Sequence, residues 1–285
     1  KIQGKWAKHY GCDDGTDAGA NLHDRLRSAW KHSDVDGVLH IMQDRDLEET
    51  YHALFMQEAL EAAGIETRTI HGVAGLNWDG DGNIRDGDGT PIKWVWKTWA
   101  WETALDQIRA ECNDDEQRLA QYRPGARHEG PPWLVDVLLR KEVMVYEPLW
   151  TLIPSNKAIL PVMSAMFPTH RYLLHSSYEL TDELAAQGYV VKPIVGRGGS
   201  NISMYGRDER LLGETGGAFE NRAQIYQELF KLPFVGGYNA QISTFTAAGK
   251  YAGAGVRVDS SLIINLDSDN LALRIVDDDD LLDHA

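Results

Sequence analysis

Residues 188–203 read GYVVKPIVGRGGSNIS. The apolar pattern over 188–195 predicts a strand. That strand runs directly into a turn holding Gly196, Arg197, Gly198 and Gly199. Glycines let backbone N–H groups come close to phosphate oxygens, and Lys192, just before the turn, offers a compact cation for the same oxygens. The turn is not a Walker loop, because GxxxxGKS and GxxxxGKT are absent. Nor is it a dinucleotide fingerprint, because GxGxxG is absent. Taken alone, it reads equally well as an ordinary β-turn.

Residues on either side supply a context for it. Upstream, Lys157 sits in IPSNKAILP, within a predicted helix over 155–166 that Ser155 would cap. Downstream, Gln227 and Glu228 lie in IYQELF, inside a helix-like stretch over 221–230, where polar groups could read an adenine edge within an apolar slot. Strands are predicted over 239–246, 251–258 and 262–265. Arg257, in GAGVRVDSS, lies on the second of them, where an arginine near phosphates can stabilise charge during phosphoryl transfer. The order is lysine, strand lysine with glycine turn, apolar hinge, strand arginine. That order is the layout of an ATP-grasp nucleotide site.

The first half has a different rhythm. A short apolar run over 38–42 suits a buried strand, 47–63 has helical periodicity and stops at Gly64, and 67–73 reads as the next strand. This βαβ order predicts a parallel sheet. Residues 79–90, DGDGNIRDGDGT, resemble a calcium loop, but the sixth and twelfth positions counted from Asp79 hold Ile84 and Thr90 instead of Gly and Glu. Tight turns between strands are the better reading. A strand over 92–96, a long helix over 101–122, a linker or lid loop over 123–132 and a strand over 143–146 complete this half.

Composition limits the function. With 285 residues, 43% of them hydrophobic, and with nine Trp and eleven Tyr, the chain can bury a sizeable core. A net charge of −15 argues against general nucleic-acid binding and is compatible with a cationic substrate such as a polyamine. No apolar run approaches the length of a membrane span, and no signal-peptide pattern opens the chain. Cys12 and Cys112 lack a metal or redox spacing and read as reduced cysteines of a cytoplasmic protein. The first residue is Lys1, which suggests a start inside a longer protein. The acidic run from Asp277 to Asp280 reads as a solvated tail.

Several long, Trp-rich motifs resemble, in order, the synthetase domain of the glutathionylspermidine synthase family. They are VWKTWAWETA, EPLWTLIPSNKAILP, VVKPIVGRGGSNI, IYQELFKLP and YAGAGVRVDSSLI, and the resemblance spans about residues 20–276. It implies an α/β, ATP-grasp-like fold of mixed sheets with a glycine-rich lid over the nucleotide. It also implies an ATP-dependent carboxylate–amine ligase that joins glutathione or a similar peptide to spermidine or a similar amine through an acyl-phosphate, with ATP and Mg2+ as cofactors. Lys157 and Lys192 match the ATP-binding lysines, and Gly198 and Gly199 the lid, with Arg197 close to the reacting groups. Gln227, Glu228, Leu229 and Phe230 match the adenine hinge. Gln241 matches a polar ATP contact, Leu262, Ile263 and Ile264 line the nucleotide slot, and Arg257 steadies the acyl-phosphate. Glu48 and Glu49 resemble an acidic pair that holds the polyamine, although a solvated helix start explains them equally well. Thr98 would contact the peptide substrate, unless its Trp-rich surroundings are packing only. The expected division is a substrate-side region over 1–130 and a nucleotide-binding region over 131–285.

The metal is the exception. Family magnesium ligands, an Asp and a Glu-x-Asn motif, are expected ahead of Lys1. Within the chain, only Glu111-Cys112-Asn113 resembles that motif, in the wrong order, while Asp259 and Asn265 lie near Arg257. The alternative function is a catalytically incomplete ATP-binding scaffold of the same fold, against which the retained lysines and Arg257 argue.

Overall fold

The structure, a computed structural model, describes residues 2–12, 14–44, 47–123, 125 and 127–278, without the side chains of Ile2, Leu47 and Glu48. The chain is a mixed α/β protein with several sheets. It forms two compact units that do not follow chain order: residues 23–152 make one, and residues 1–22 with 153–285 make the other.

In the 23–152 unit, β1 (Leu39–Gln43), β2 (Thr67–His71), β3 (Trp94–Lys97) and β4 (Met144–Tyr146) form a parallel sheet in the order β2-β1-β3-β4. All five residues of β1 are buried, as expected for a central parallel strand covered on both faces. Leu39 and Ile41 pack on one side with Trp30, Ala53 and Leu60, the last two from α1 (Leu47–Ala62). Met42 and Val95 pack on the other with Trp101, Ala104 and Ile108 of α2 (Trp101–Glu111). The predicted βαβ order is thus present.

The helix predicted over 101–122 is two helices. Asn113 and Asp114 adopt φ of 52° and 53°, which stops the first. Asp115 then caps a second, Glu116–Gln121, by accepting from the Arg118 N–H at 2.8 Å. The acidic run over 79–90 makes turns. Asp79 Oδ1 accepts from the backbone N–H groups of Asp81 and Asn83, and Asp86 Oδ1 from those of Asp88 and Thr90. The other oxygen of Asp86 accepts from His40 at 3.1 Å and Arg68 at 2.9 Å. Burial opposes ionisation of Asp86, but the hydrogen bonds from His40, Thr90 and Arg68 outweigh it and bring the carboxyl down to about 2. This buried cluster fastens the turn segment to β1 and β2.

The second unit is antiparallel. Its five-stranded sheet has β8 (Leu211–Glu214), β7 (Ser203–Tyr205), β6 (Tyr189–Pro193), β9 (Gln224–Glu228) and β5 (Ser176–Ser177) in that spatial order. A four-stranded sheet runs β10 (Phe234–Val235), β11 (Tyr238–Ala247), β12 (Lys250–Asp259) and β13 (Asp269–Leu271). The N-terminal segment belongs to this unit. Its strand Thr16–Asp17 pairs with Arg274–Ile275, and Gly253 of β12 is a glycine because a Cβ there would lie 2.9 Å from the Ala18 carbonyl oxygen.

Three expectations change here. Residues 221–230 are not helical: Gln224–Glu228 pairs along its whole length with β6, burying Ile225 and Gln227 at strand spacing. Residues 262–265 have no strand partner among the described residues and run as irregular chain. The predicted helix over 155–166 is α3 (Ile159–Met166) with Ala158 at its N-cap, and Ser155 ends a short preceding helix instead. The break between the two lets the Lys157 N–H bond the Ile194 carbonyl at 2.9 Å.

Candidate nucleotide-binding site

A cavity of about 550 Å³ opens within the second unit. Strand register explains its composition. On the five-stranded sheet, Gln227 of β9, Val190 of β6 and Met204 of β7 are direct cross-strand neighbours, so one face carries them in a row. Lys192, two residues beyond Val190, projects from that face too. On the four-stranded sheet, Gln241 pairs with Arg257 and Ser243 with Gly255. Leu262, Ile263, Ile264, Gly198, Gly199 and Lys157 also line it, as do Phe230 and Leu232. Val190, Met204 and Ile263 form a small hydrophobic core with Ile202 and Leu229 against it, which gives the cavity an apolar floor.

Twelve of the residues anticipated for the nucleotide line this cavity: Lys157, Lys192, Gly198, Gly199, Gln227, Glu228, Phe230, Gln241, Arg257, Leu262, Ile263 and Ile264. Leu229 does not; it packs beside the floor, and its N–H donates to the Gly188 carbonyl at 3.1 Å. Arg197 is exposed on the glycine turn and is not part of the lining. Sequence reasoning missed Leu174, Val190, Ile202, Met204, Leu232 and Ser243, of which Val190 and Met204 were detectable from the period of β6 and β7.

The electrostatics favour an anion. Lys192 Nζ donates to Gln227 Oε1 at 2.6 Å, a neutral partner. Burial, with the nearby Lys157 charge adding to it, brings the Lys192 ammonium down from 10.5 to about 8. Lys157 Nζ donates to the Gly196 carbonyl at 2.9 Å. Arg257 Nη2 donates to the Leu266 carbonyl at 3.1 Å, while its buried Nε finds no hydrogen-bond partner among the described residues. Gly198 and Gly199 have φ of 52° and 70°, and a Cβ on Gly199 would collide with the Ile264 carbonyl oxygen, so the turn lies tight against the 262–266 segment. A polyphosphate with a flat apolar base suits such a lining.

Thr98 and Glu49 belong to the other unit. Thr98 Oγ1 accepts from the Asp44 N–H at 3.0 Å, and the Thr98 N–H donates to the Met42 carbonyl at 3.0 Å, tying together the ends of β1 and β3. Glu49 lies 3.7 Å from His52 Nδ1. Its neighbour Glu48 has its side chain outside the described residues. The same sheet edge holds two charged residues that the sequence reading passed over. Lys97 is 3% exposed and donates to the Trp99 carbonyl at 2.8 Å. Glu147 adopts φ of 67°. Burial pushes the Glu147 carboxyl up, Lys97 opposes this and Glu49 adds to it.

The magnesium candidates do not make a metal cage. Among the described residues, no group of three or more His, Cys, Asp and Glu side chains assembles. Asp259 accepts from Ser268 Oγ at 2.6 Å and from the Ser261 N–H at 2.8 Å, which holds its carboxyl below the usual range. Asn265 Oδ1 accepts from the Asp267 N–H at 2.8 Å. Glu111, Cys112 and Asn113 form a helix end in the other unit.

Residues 1–275 match the family described as glutathionylspermidine synthase preATP-grasp. The chain belongs to the glutathionylspermidine synthase family. Among relatives of this family, it is 48% identical over 272 residues to the bifunctional glutathionylspermidine synthetase/amidase of Escherichia coli, covering 95% of this chain and 44% of that protein. It is 39% identical over 283 residues to the trypanothione synthetase of Crithidia fasciculata, covering 96% of this chain and 42% of that one. A putative acid–amine ligase of Haemophilus influenzae is 30% identical over 135 residues, 45% of this chain and 34% of that protein. The chain therefore spans less than half the length of these family members. None of the helices among the described residues is long and apolar enough to cross a membrane.

Proposed function

We propose that this chain carries the nucleotide-binding part of an ATP-dependent carboxylate–amine ligase of ATP-grasp type, acting in the cytoplasm on small molecules. The carboxylate is glutathione or a similar peptide, and the amine is spermidine or a similar polyamine. The observation that carries the reading is the single cavity where Lys157, Lys192, Gln227, Gln241 and Arg257 converge on an apolar slot. The relatives' names, all synthetases or ligases, favour catalysis over the scaffold alternative.

In this reading the terminal phosphoryl group of ATP passes to a substrate carboxylate oxygen, giving an acyl-phosphate and ADP. The amine nitrogen then attacks the acyl carbon, phosphate leaves, and the nitrogen loses its extra proton. Lys157 and Lys192 offset the polyphosphate charge. Gln227 to Phe230 hold the adenine, with Gln241 and Leu262 to Ile264 beside it. Arg257 steadies charge on the acyl-phosphate and on the intermediate that follows, and Arg197 approaches it from the glycine turn. That turn acts as the lid that keeps water from the acyl-phosphate. On the substrate side, assigned to 1–130, Glu48 and Glu49 hold the amine and Thr98 contacts the peptide; 131–285 is the nucleotide region. Magnesium enters through the family. The described residues do not supply its cage.

The test is ADP release in the presence of magnesium, a thiol tripeptide and a triamine. Release that requires both organic substrates is expected. Release that ignores either one, or no release with intact nucleotide binding, refutes the ligase.

A further inference from the structure

Behind the cavity, three hydrogen bonds in series remove the freedom of their middle member. Ser176 Oγ donates its one proton to the Leu174 carbonyl at 3.0 Å. Toward any other group that hydroxyl can then only accept, and Gln227 Nε2 donates to it at 3.0 Å. Ser176 and Gln227 are 5% and 7% exposed, so water does not substitute for either partner. A glutamine carboxamide keeps its shape when turned over, exchanging oxygen for nitrogen. Here the serine selects one orientation: nitrogen toward Ser176, oxygen toward Lys192, whose ammonium donates to it at 2.6 Å. Turned over, the amide would set an NH2 donor against an ammonium donor. Ser176 itself is held in place, because its N–H donates to Ser164 Oγ of α3 at 3.2 Å.

We propose that Ser176 is a positioning residue of the nucleotide site: by fixing the direction of the Gln227 carboxamide it holds the Lys192 ammonium in the cavity. This rests on the nucleotide reading above. Ser176 is not among the lining residues and acts only through Gln227. The partner so presented is neutral, so the ammonium is held without its charge being cancelled, which leaves that charge for a phosphate. The other charged side chains lining the cavity are Lys157, Glu228 and Arg257.

The test is calorimetric titration of this chain with ATP from pH 7 to pH 9, using Ser176→Ala, Gln227→Met and the double variant. Ser176→Ala is expected to weaken ATP about tenfold. Its affinity should also begin to fall at a lower pH than in the unaltered chain, because an ammonium without its acceptor loses its proton more readily. In the Gln227→Met background the same substitution should cost nothing further, since no carboxamide remains to be oriented. An equal loss in both backgrounds overturns the proposal, as does unchanged affinity and pH profile in Ser176→Ala. If Ser176→Ala is too unstable to titrate, Ser176→Cys keeps the shape and weakens the acceptor; unchanged ATP affinity there also overturns the proposal. An unaltered chain that binds no ATP removes the nucleotide reading and this inference together, whereas normal binding with indifferent variants removes the inference alone.

Discussion

Lys192→Met should weaken the nucleotide and strengthen the fold. At neutral pH the ammonium is charged both in the folded chain and in the unfolded one. Its folded value of about 8 against 10.5 means that the folded state disfavours that charge. A gap of this size corresponds to roughly 3 kcal/mol of destabilisation. The penalty is present below pH 8 and fades as the pH rises toward 10.5, so the chain gains stability through that window. Methionine keeps most of the stem and removes the charge. It also leaves Gln227 Oε1 without its donor, which costs about 1–2 kcal/mol. The net expectation is a gain of about 1–2 kcal/mol, seen as a melting temperature higher by about 2–5 °C. ATP should bind roughly ten- to a hundredfold more weakly, from the loss of a charge-assisted contact. The assay pairs a thermal melt at pH 7 with ATP titration of the same sample. A lower melting temperature would show that the ammonium is structurally useful, and unchanged ATP affinity would place the phosphates elsewhere.

Further outcomes follow from other parts of the molecule. Asp86→Asn should destabilise the fold by about 3 kcal/mol by breaking a buried ion pair; in the unaltered chain the same contribution should disappear as pH falls from about 4 toward 2, and urea melts at pH 7 and pH 2.5 measure both. Gly199→Ala should weaken ATP at least about tenfold, because its φ of 70° and the close Ile264 carbonyl both resist a methyl group, which costs roughly 1–3 kcal/mol; equal affinity by titration would mean that the turn does not approach the nucleotide. Replacing Glu48 and Glu49 together with Gln should raise the KM for the amine by up to about tenfold while leaving that for ATP unchanged; steady-state kinetics with varied triamine decides it.

The parts of the fold legible in advance are those where local pattern and tertiary packing agree. The apolar run now in β1 is buried on both faces, and the order from β1 through α1 to β2 required a parallel sheet. The segment over 221–230 was misleading because IYQELF places apolar residues where a helix would also want them. Only pairing with β6, distant in sequence, makes it a strand. The break at Asn113 and Asp114 was hidden for a related reason: neither residue forbids a helix, and both tolerate the left-handed conformation that ends one. At the site, glycines and cations beside strands were visible as chemistry. Lys97 and Glu147 were not, because the burial of the one and the left-handed backbone of the other arise from a sheet whose register no short motif records. Ser176 was equally silent: a serine acquires a role here only because the Leu174 carbonyl takes its proton.

The pairing of Thr16–Asp17 with Arg274–Ile275 has a bearing on how the chain comes into being. Ile275 lies opposite Thr16. During synthesis Thr16–Asp17 is made well before Arg274–Ile275 and must wait for it. Residues 23–152 need no such delay, being contiguous, and with their helix-connected parallel strands they can fold while the rest is still being translated. The nucleotide unit closes later than residues 23–152, by an encounter of high contact order. Until that encounter, the four-stranded sheet lacks the Ala18 backbone that lies against Gly253, and its open flank is the place where a chaperone or a protease would gain access to the growing chain.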